Sequence, residues 1–402
     1  MPPPAPSHHY RGANYLRQRL ILSTLTRKPV KITDIRTQAE SPGLEDFEAN
    51  LLRLLDSITN GTNITVSETG TTLYYSPGEL VGGDITHDCN VNRPIAYYLE
   101  VLLCLAPFCK LPVQARLRGV THCEGFPSVD TIRTVTLPIM AKLGVNNDNL
   151  ASTAQGSLHI VQPPLSLKVE SRGDPAAPGI VSFTCPIIKG IPPVELLNEG
   201  RIRRVRGVAW TSRVSPQYAP MMIDSCRAVL NPYLADVWVF TDAAKKLPKE
   251  ARGGYGLSLV AETESGALIS ADAMSEAAAS PSHRVTDPGD LGKEVARALI
   301  EEIDCGGVVD RQHQWLTAIF MSMAGDYKVS SAVFGQELSP YTIAMIRNIK
   351  DFMGVRFKFT SQKTEEEVVL NEEDEEKEFA TSRSVKLRCV GAGLKNATRR
   401  TF

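Results

Sequence analysis

The sequence predicts an α/β chain of layered α+β character, with sheets on one side and helices on the other. Two observations support this. An amphipathic helix followed by one or two alternating strands recurs along most of the chain, and apolar residues make up 43% of 402 residues, which is enough for a large core. The formal net charge of -1 favours neither nucleic acid nor membrane, so any RNA contact has to be local.

The repeating pattern starts near the first residues. "YLRQRLILSTLTRKPVKITDIR", residues 15–36, predicts a helix and then a strand. Residues 43–76 predict a helix and then two strands, the second of them through Leu73 and Tyr75. Residues 94–119, "PIAYYLEVLLCLAPFCKLPVQARLRG", predict a helix and a strand again. This recurrence indicates duplicated structural units.

The pattern returns late in the chain in "LSPYTIAMIRNIKDFMGVRF", residues 338–357. Its apolar residues recur at helical spacing and are expected to share one face of a helix, namely Ile343, Ile346, Ile349 and Met353. The alternation after this helix predicts a strand through Val355, Phe357 and Phe359. Ser339 is an N-cap candidate and Pro340 presets φ, so Tyr341 is expected in the first turn, where free backbone N–H groups can meet an anion.

The middle of the chain differs in composition. Residues 192–287 include loops rich in Gly, Ala, Ser and Pro and predict an inserted small α/β domain between two parts of a main domain, 1–191 and 288–402. Within 364–379 the sequence has nine acidic residues between Glu365 and Glu378. Such a run is typical of a solvated loop, here between two strands, and the alternative is a mimic of nucleic acid for a basic partner.

Catalytic and metal motifs are absent from the sequence. No phosphate-binding loop, zinc-protease motif or serine-hydrolase elbow occurs, and the seven histidines and eight cysteines lack metal-ligand spacing, so we expect no metal site and free, buried thiols in a reducing compartment. The chain begins without an apolar secretory stretch and contains no apolar run of about 20 residues. We therefore expect an intracellular protein without a membrane contact.

One short run concentrates positive charge. "RIRRVRG" places Arg201, Arg203, Arg204 and Arg206 in a strand-like segment, so guanidinium groups lie on both faces. A strand cannot bury both sets. At least one set faces phosphate, a partner's acidic group or water, and the sequence leaves these readings open.

Several motifs together resemble one family. "YLRQRL", "SPGLEDFE", "TGTTLYY", "GGDITHD", "LLCLAPF", "RVSP", "GLSLVAET", "CGGVVD" and "FMGVRF" are similar, in order and spacing, to sequences of the RNA 3'-terminal phosphate cyclases, from about Gly12 to Asn396. The resemblance implies three repeated units, each with two parallel helices on a four-stranded sheet, and an inserted α/β domain. It is strongest to the eukaryotic cyclase-like branch of that family.

The same resemblance implies a lost active site. Active members carry a nucleophilic histidine at the start of the helix before the "F-x-x-V-R-F" strand, and this position is Tyr341 here, or Ser339 if the alignment shifts by two residues. Neither side chain can replace imidazole, which combines a pKa near neutrality with a nitrogen nucleophile. We therefore expect no enzyme activity as a cyclase and no cofactor.

Other positions also differ from the residues that active members of the family carry. The glycine-rich loop reads Gly12-Ala13-Asn14, a glutamine is replaced by Glu100, and an Asp-Gln pair by Trp315-Leu316. Positions that carry arginine or histidine in cyclases read Ala39, Glu45 and Glu48. These changes would repel a triphosphate, so Tyr341, Asn14, Glu100 and Trp315 are expected to mark a vestigial site.

By resemblance, the chain is expected to act as a non-catalytic ribosome biogenesis factor in the nucleolus of the nucleus. Its partners would be a large GTPase, the small-subunit processome, box C/D small nucleolar ribonucleoprotein (snoRNP) proteins and also pre-rRNA. Binding candidates in the old cleft are Arg17, Arg36 and Arg347, beside the four arginines of "RIRRVRG".

The alternative function is an RNA endonuclease that cleaves pre-rRNA. Asp326 and Lys328 in "GDYKVS" would act as base and phosphate stabiliser. The same Asp-x-Lys pattern is also typical of an exposed turn.

Overall fold

The computed structural model describes residues 8–145, 162–243, 252–275, 287–325, 328–362 and 384–396. Asp326 and the acidic run 364–379 lie outside these residues. The fold consists of three copies of one unit, with a separate unit inserted into the third copy.

The first unit alternates strands and helices before it ends in a strand pair. Its elements are β1 (His8–Arg11), α1 (Leu16–Thr26), β2 (Val30–Thr33), α2 (Asp46–Ile58), β3 (Thr59–Asn60), β4 (Asn63–Val66) and β5 (Leu73–Ser76). The sheet has the order β1-β2-β5-β4, with β1 parallel to β2 and the other pairs antiparallel. A short β6 (Glu79–Leu80) pairs with β3.

The second unit repeats this order. It contains β7 (Gly82–Asp88), α3 (Ile95–Leu105), β8 (Leu111–Gly119), α4 (Val129–Thr131), α5 (Leu137–Lys142), β9 (Ser166–Ser171) and β10 (Gly179–Cys185). A π-helical turn, Ile132–Thr136, joins α4 to α5. The sheet order is β7-β8-β10-β9, again with only the first pair parallel.

The third unit starts at β11 (Glu195–Leu196) and is interrupted by the insert. The insert contains β12 (Ile202–Ser212), α6 (Tyr218–Leu230), β13 (Val237–Ala243), β14 (Gly254–Thr263), β15 (Leu268–Met274) and α7 (Pro288–Asp304). Its sheet has the order β13-β12-β14-β15, and α6 and α7 pack on one face around a hydrophobic cluster of their own.

The third unit then resumes with α8 (Gln314–Met323), β16 (Val329–Gly335), α9 (Pro340–Met353), β17 (Lys358–Gln362) and β18 (Ser384–Val390). Its sheet order is β11-β16-β18-β17, with β11 parallel to β16. The same strand order in three successive sheets confirms the predicted repeat and the mixed α/β class.

The limits of the insert differ from the predicted 192–287. The strand β11 lies inside that range but pairs with β16 of the third sheet. The helix α7 lies beyond it, yet Leu291, Val295 and Leu299 are buried in the cluster of the insert. Since packing rather than loop composition defines a unit, we propose residues 202–304 as the inserted unit.

The helix α9 confirms the predicted helix but not its buried face. Its N-cap is Ser339, as expected, and Ile349 is buried. Ile343, however, is 37% exposed, and the positions buried in addition to Ile349 are Thr342, Ala344, Met345, Asn348 and Phe352. The buried face is rotated because α9 packs against both α1 and α8. The spacing of apolar residues alone does not reveal which positions contact these two helices.

The strand after α9 begins later than the sequence predicts. Gly354 ends the helix in the left-handed region, with φ of 72°. Val355 is buried without belonging to a strand, and β17 starts only at Lys358. The predicted alternation of burial holds, with Val355 buried and Phe357 half-buried between exposed neighbours, but of the three apolar residues only Phe359 lies in the strand.

Candidate functional site

The start of α9 is fixed by hydrogen bonds to side chains of neighbouring helices. The Thr342 backbone N–H donates to the Ser339 hydroxyl oxygen at 3.2 Å, so the cap occupies one of the free amide groups that an anion would need. The carbonyl of Tyr341 accepts a hydrogen bond from Gln18 of α1 at 2.9 Å. Asn348 of α9 donates to the same Gln18 side chain at 2.9 Å. Tyr341 therefore lies in the first helical turn, as predicted, and is held against α1.

The hydroxyl of Tyr341 closes a three-membered polar cluster. It accepts hydrogen bonds from Arg17 Nε at 3.3 Å and Nη2 at 3.0 Å, and it donates to Glu100 Oε1. Arg17 Nη2 also lies 2.5 Å from Glu100 Oε2, and both of these side chains are 11% exposed. Each of these three side chains thus contacts the other two. We call Arg17, Glu100 and Tyr341 the Tyr341 cluster.

Aromatic rings surround the Tyr341 cluster. The Arg17 guanidinium carbon lies 4.4 Å from the ring centroid of Tyr97 and 5.5 Å from that of Tyr341. Trp315 of α8 meets the Tyr341 ring edge-on, with centroids 6.0 Å apart, and Tyr15 is 6.1 Å away on another side. Two cation–π contacts strengthen the placement of Arg17 beyond its ion pair.

Burial determines the protonation of this cluster. Burial raises the pKa of the Tyr341 hydroxyl well above its ordinary value, and Glu100 raises it further. Burial also raises the pKa of Glu100, against the opposing effect of Arg17. For Arg17, burial lowers the pKa, but Glu100 and Tyr341 outweigh burial, and the net pKa is raised. Tyr341 is therefore a neutral phenol at physiological pH and a poor nucleophile.

Arg36 lies beside this region and is bound to acidic side chains. Its two terminal nitrogens meet Glu48 Oε2 and Oε1 at 2.7 Å each, and its Nε lies 3.8 Å from Glu45. Glu48 also accepts a hydrogen bond from the Glu45 backbone as part of the capping box of α2. Glu45 and Glu48 therefore neutralise Arg36 and also cap a helix.

The loop before α1 contributes little to the cluster. Gly12 has φ of 73°, and its carbonyl accepts a hydrogen bond from Arg19 at 3.0 Å. Asn14 is exposed, and Tyr15 adopts φ of 57° at the N-cap of α1 without a side-chain cap. Of the predicted vestigial residues, the structure thus joins Tyr341, Glu100 and Trp315 and leaves Asn14 apart.

The other predicted residues are spread over the surface. Arg347 is exposed on α9, and Arg201 and Arg203 are exposed at the start of β12. Arg204 pairs with Glu262 at 2.6 Å and Arg206 with Asp236 at 2.7 Å, which places these arginines on the insert. They do not share a cleft with Arg17. Lys328 of the endonuclease hypothesis is exposed, and its companion Asp326 is outside the described residues.

Sequence reasoning missed the amides that position the site. Gln314 of α8 donates to the Glu337 carbonyl at 2.9 Å and accepts from the Ser339 backbone at 3.0 Å. Gln18 and Gln314 are both fully buried, and Asn348 is 6% exposed. The sequence does contain a signal for such residues, namely a polar residue at helical spacing from buried apolar ones. Gln18 lies three and four positions before Ile21 and Leu22 and so shares their face of α1.

The described part of the chain contains neither a cluster of metal ligands nor a helix that could span a membrane. No three His, Cys, Asp or Glu side chains there form a group that could hold a metal ion. Every helix there is too short or too polar to span a bilayer.

Comparison with known proteins gives a consistent result. The family described as RNA 3'-terminal phosphate cyclase matches residues 8–359. A human relative named RNA 3'-terminal phosphate cyclase-like protein is 42% identical over 398 residues, which cover 98% of both chains, and a bovine relative with this name is 42% identical over 396 residues. A Schizosaccharomyces pombe relative, named as an rRNA processing protein, is 33% identical over 394 residues and covers 97% of both chains.

Proposed function

The chain belongs to the RNA 3'-terminal phosphate cyclase family, and from this premise we propose that it is a non-catalytic factor in rRNA processing. The observation that carries the proposal is the Tyr341 cluster. At the position that the family resemblance assigns to the nucleophile, the side chain is a partly buried neutral phenol whose hydroxyl is already bound by Arg17 and Glu100. No free nucleophile faces a substrate there.

The arginines that would bind a triphosphate are already paired with carboxylates. Arg17 pairs with Glu100, and Arg36 pairs with Glu48. Exchanging either pair for phosphate would leave a buried or half-buried carboxylate without its cation, which is costly. The geometry therefore supports a retained fold that serves binding rather than nucleotide chemistry.

The name of the S. pombe relative supports rRNA processing as the process. We further propose that the chain acts in the nucleolus of the nucleus, within the small-subunit processome and in contact with box C/D snoRNP proteins. A GTPase of that particle and pre-rRNA would be its direct partners. These assignments rest on the family resemblance and on the absence of a competent nucleophile.

The first experiment tests the chemistry. The purified protein is incubated with ATP labelled in the α-phosphate, denatured and resolved on a gel, beside an active cyclase of the family as positive control. We expect label on the control and none on this chain, because a phenol held by Glu100 cannot form the phosphoramidate. Label that survives denaturation would overturn the proposal.

The second experiment tests the endonuclease alternative. Pre-rRNA is incubated with the protein and with a variant in which both Asp326→Asn and Lys328→Gln are introduced. We expect no cleavage above the background of a mock preparation. Cleavage by the unchanged protein that the double variant abolishes would show an enzyme.

The third experiment tests the process. Depletion of the protein in cells is expected to accumulate unprocessed small-subunit pre-rRNA, and re-expression of a Tyr341→Phe variant is expected to restore processing, because no step depends on the hydroxyl. Normal pre-rRNA levels after depletion would contradict the proposed role.

A further inference from the structure

The insert exposes two large aromatic side chains that its core does not use. Trp238 and Phe240 of β13 are 55% and 57% exposed. Val237 and Val239, which alternate with them, are buried in the cluster formed with α6 and α7, so both rings lie on the opposite face of the sheet. Their centroids are 6.2 Å apart in a T-shaped arrangement. Two exposed rings side by side on a sheet form an apolar patch that marks a candidate interaction site.

The neighbouring strand places guanidinium groups beside these rings. The strand β13 is an edge of the sheet, and its only partner in the sheet is β12. Trp238 lies opposite Arg206 in the β12–β13 register, and Phe240 lies opposite Val208. The Arg227 guanidinium carbon of α6 is 5.9 Å from the Trp238 ring centroid. Cations therefore border Trp238, and Val208 is the apolar neighbour of Phe240 on β12.

The arginines at this end of the sheet outnumber the carboxylates that they contact. Arg206 pairs with Asp236, and Arg204 pairs with Glu262. The side chains of Arg201 and Arg203 make no hydrogen bond or ion pair with any other described residue, and both are exposed. Since Asp236 is also exposed, its pair with Arg206 contributes little and can be exchanged for a phosphate. The local charge favours an anionic ligand.

The rest of the same sheet face is already covered. Ser258 of β14 and Asp272 of β15 bond to Ser128 of the second unit, at 2.9 and 2.7 Å. Trp210 lies against His122, with ring centroids 4.3 Å apart. Contacts with the second unit therefore occupy the β14–β15 side and, through Asp242 and Arg172, the end of β13, whereas Trp238 and Phe240 stay exposed.

We propose that Trp238 and Phe240, with Arg206 and the adjacent Arg203, form a binding surface for single-stranded RNA. Two successive bases stack on the two rings, and the arginines contact the phosphates between and beside them. Aromatic residues and Arg occur in protein interfaces as well. Here the arginines outnumber the carboxylates that they contact, and this excess of positive charge favours a polyanion over a protein partner. The inference rests on the proposed role in rRNA processing and names an RNA-contacting surface away from the Tyr341 cluster.

The test uses the intrinsic fluorescence of the full-length protein. Of the three tryptophans, Trp210 and Trp315 are 5% and 8% exposed, so Trp238 is the one that a ligand can reach. A ten-nucleotide single-stranded RNA of mixed sequence and a blunt RNA duplex are titrated at low salt. We expect the single strand to quench the fluorescence and to bind more tightly than the duplex, whose bases are already stacked.

Three variants locate the interaction. The pair Trp238→Ala and Phe240→Ala, introduced together, should weaken binding of the single strand by about tenfold or more, measured by anisotropy of labelled RNA. Arg203→Gln should weaken it and lower its salt dependence. Tyr233→Ala is the matched control, since Tyr233 is 76% exposed in the same unit and lies outside the ring pair, and it should leave affinity unchanged. Circular dichroism checks that each variant is folded.

Equal affinity of the double variant and the unchanged protein would overturn the inference. So would loss of a protein partner from cell extracts with RNA affinity retained, since that would identify a protein-docking surface. Neither result would alter the outcome of the ATP-labelling experiment, so failure of this inference can be distinguished from failure of the proposed function.

Discussion

The Tyr341 hydroxyl connects three helices through hydrogen bonds. It joins α9 to Arg17 of α1 and Glu100 of α3, and it is the only uncharged member of the three. Because Arg17 and Glu100 are each 11% exposed, water cannot replace the hydroxyl easily. The hydroxyl thus supplies a hydrogen-bonding link between helices.

Tyr341→Phe is therefore expected to destabilise the protein without affecting any reaction. Loss of hydrogen bonds to two charged partners should lower the free energy of unfolding by about 2 kcal/mol. The measurement is urea denaturation followed by circular dichroism. Tyr15→Phe is the control, because the Tyr15 ring is a neighbour of Tyr341 but its hydroxyl makes no hydrogen bond within the described residues, and it should change stability by less than about 0.5 kcal/mol. Equal effects of the two variants would contradict this account.

At the scale of elements, the position and stability of α9 depend on its first turn. Ser339 caps the helix, Pro340 occupies the first helical position, and Gln314 of α8 accepts a hydrogen bond from the Ser339 backbone. The cap thus sets the point at which Tyr341 enters the cluster. A change of cap should affect stability through the helix start alone.

Ser339→Ala is expected to cost about 1 kcal/mol of unfolding free energy, because the Thr342 N–H loses its acceptor. Ser339→Asp keeps an acceptor at the N-cap and adds a favourable charge at the positive end of the helix, so it should retain the stability of the unchanged protein. Thermal and urea denaturation of both variants provide the comparison. Equal loss in both would mean that the hydroxyl acts through another contact.

The elements also show what sequence could and could not predict. The recurring helix–strand units and the N-cap at Ser339 follow local rules and were predicted correctly. The buried face of α9 and the start of β17 were not, because a helix packed between two others buries Thr342 and Asn348 and leaves Ile343 exposed. The Tyr341 cluster joins residues separated by 324 and 241 positions, so only tertiary structure could reveal that Arg17 and Glu100 are paired there.

At the scale of the molecule, Arg172 joins the insert to the second unit. Its Nη1 lies 2.7 Å from Asp130 of α4, and its Nη2 lies 2.6 Å from Asp242 of β13. His122 contacts both Asp130 and Arg172, at 3.3 and 3.1 Å. Burial raises the pKa of Asp130, but hydrogen bonds from His122 and Arg172 outweigh burial, and the net pKa lies below the ordinary value.

The sign of the pH dependence follows from this shift. A carboxyl whose pKa is lower in the folded state stabilises the protein above its ordinary pKa of 3.8, and this contribution is lost as the pH falls below that value. Asp130→Asn should therefore lower the unfolding free energy at pH 7 by about 3 kcal/mol and by less at pH 3, measured by urea denaturation. Glu170→Gln, which breaks the exposed pair with Arg116, is the control with little expected effect. A difference that grows towards acid pH would contradict the assignment.

The insertion point has an evolutionary consequence. Chain segments on either side of the insert come together, since Glu199 lies beside Gly306, and the interruption falls between the first strand and the first helix of the third unit. Gain or loss of the insert would not change the backbone hydrogen bonds between the strands of the third sheet. The three repeated units and the inserted unit can therefore change in sequence under separate selection, one for a durable framework and the other for new contacts.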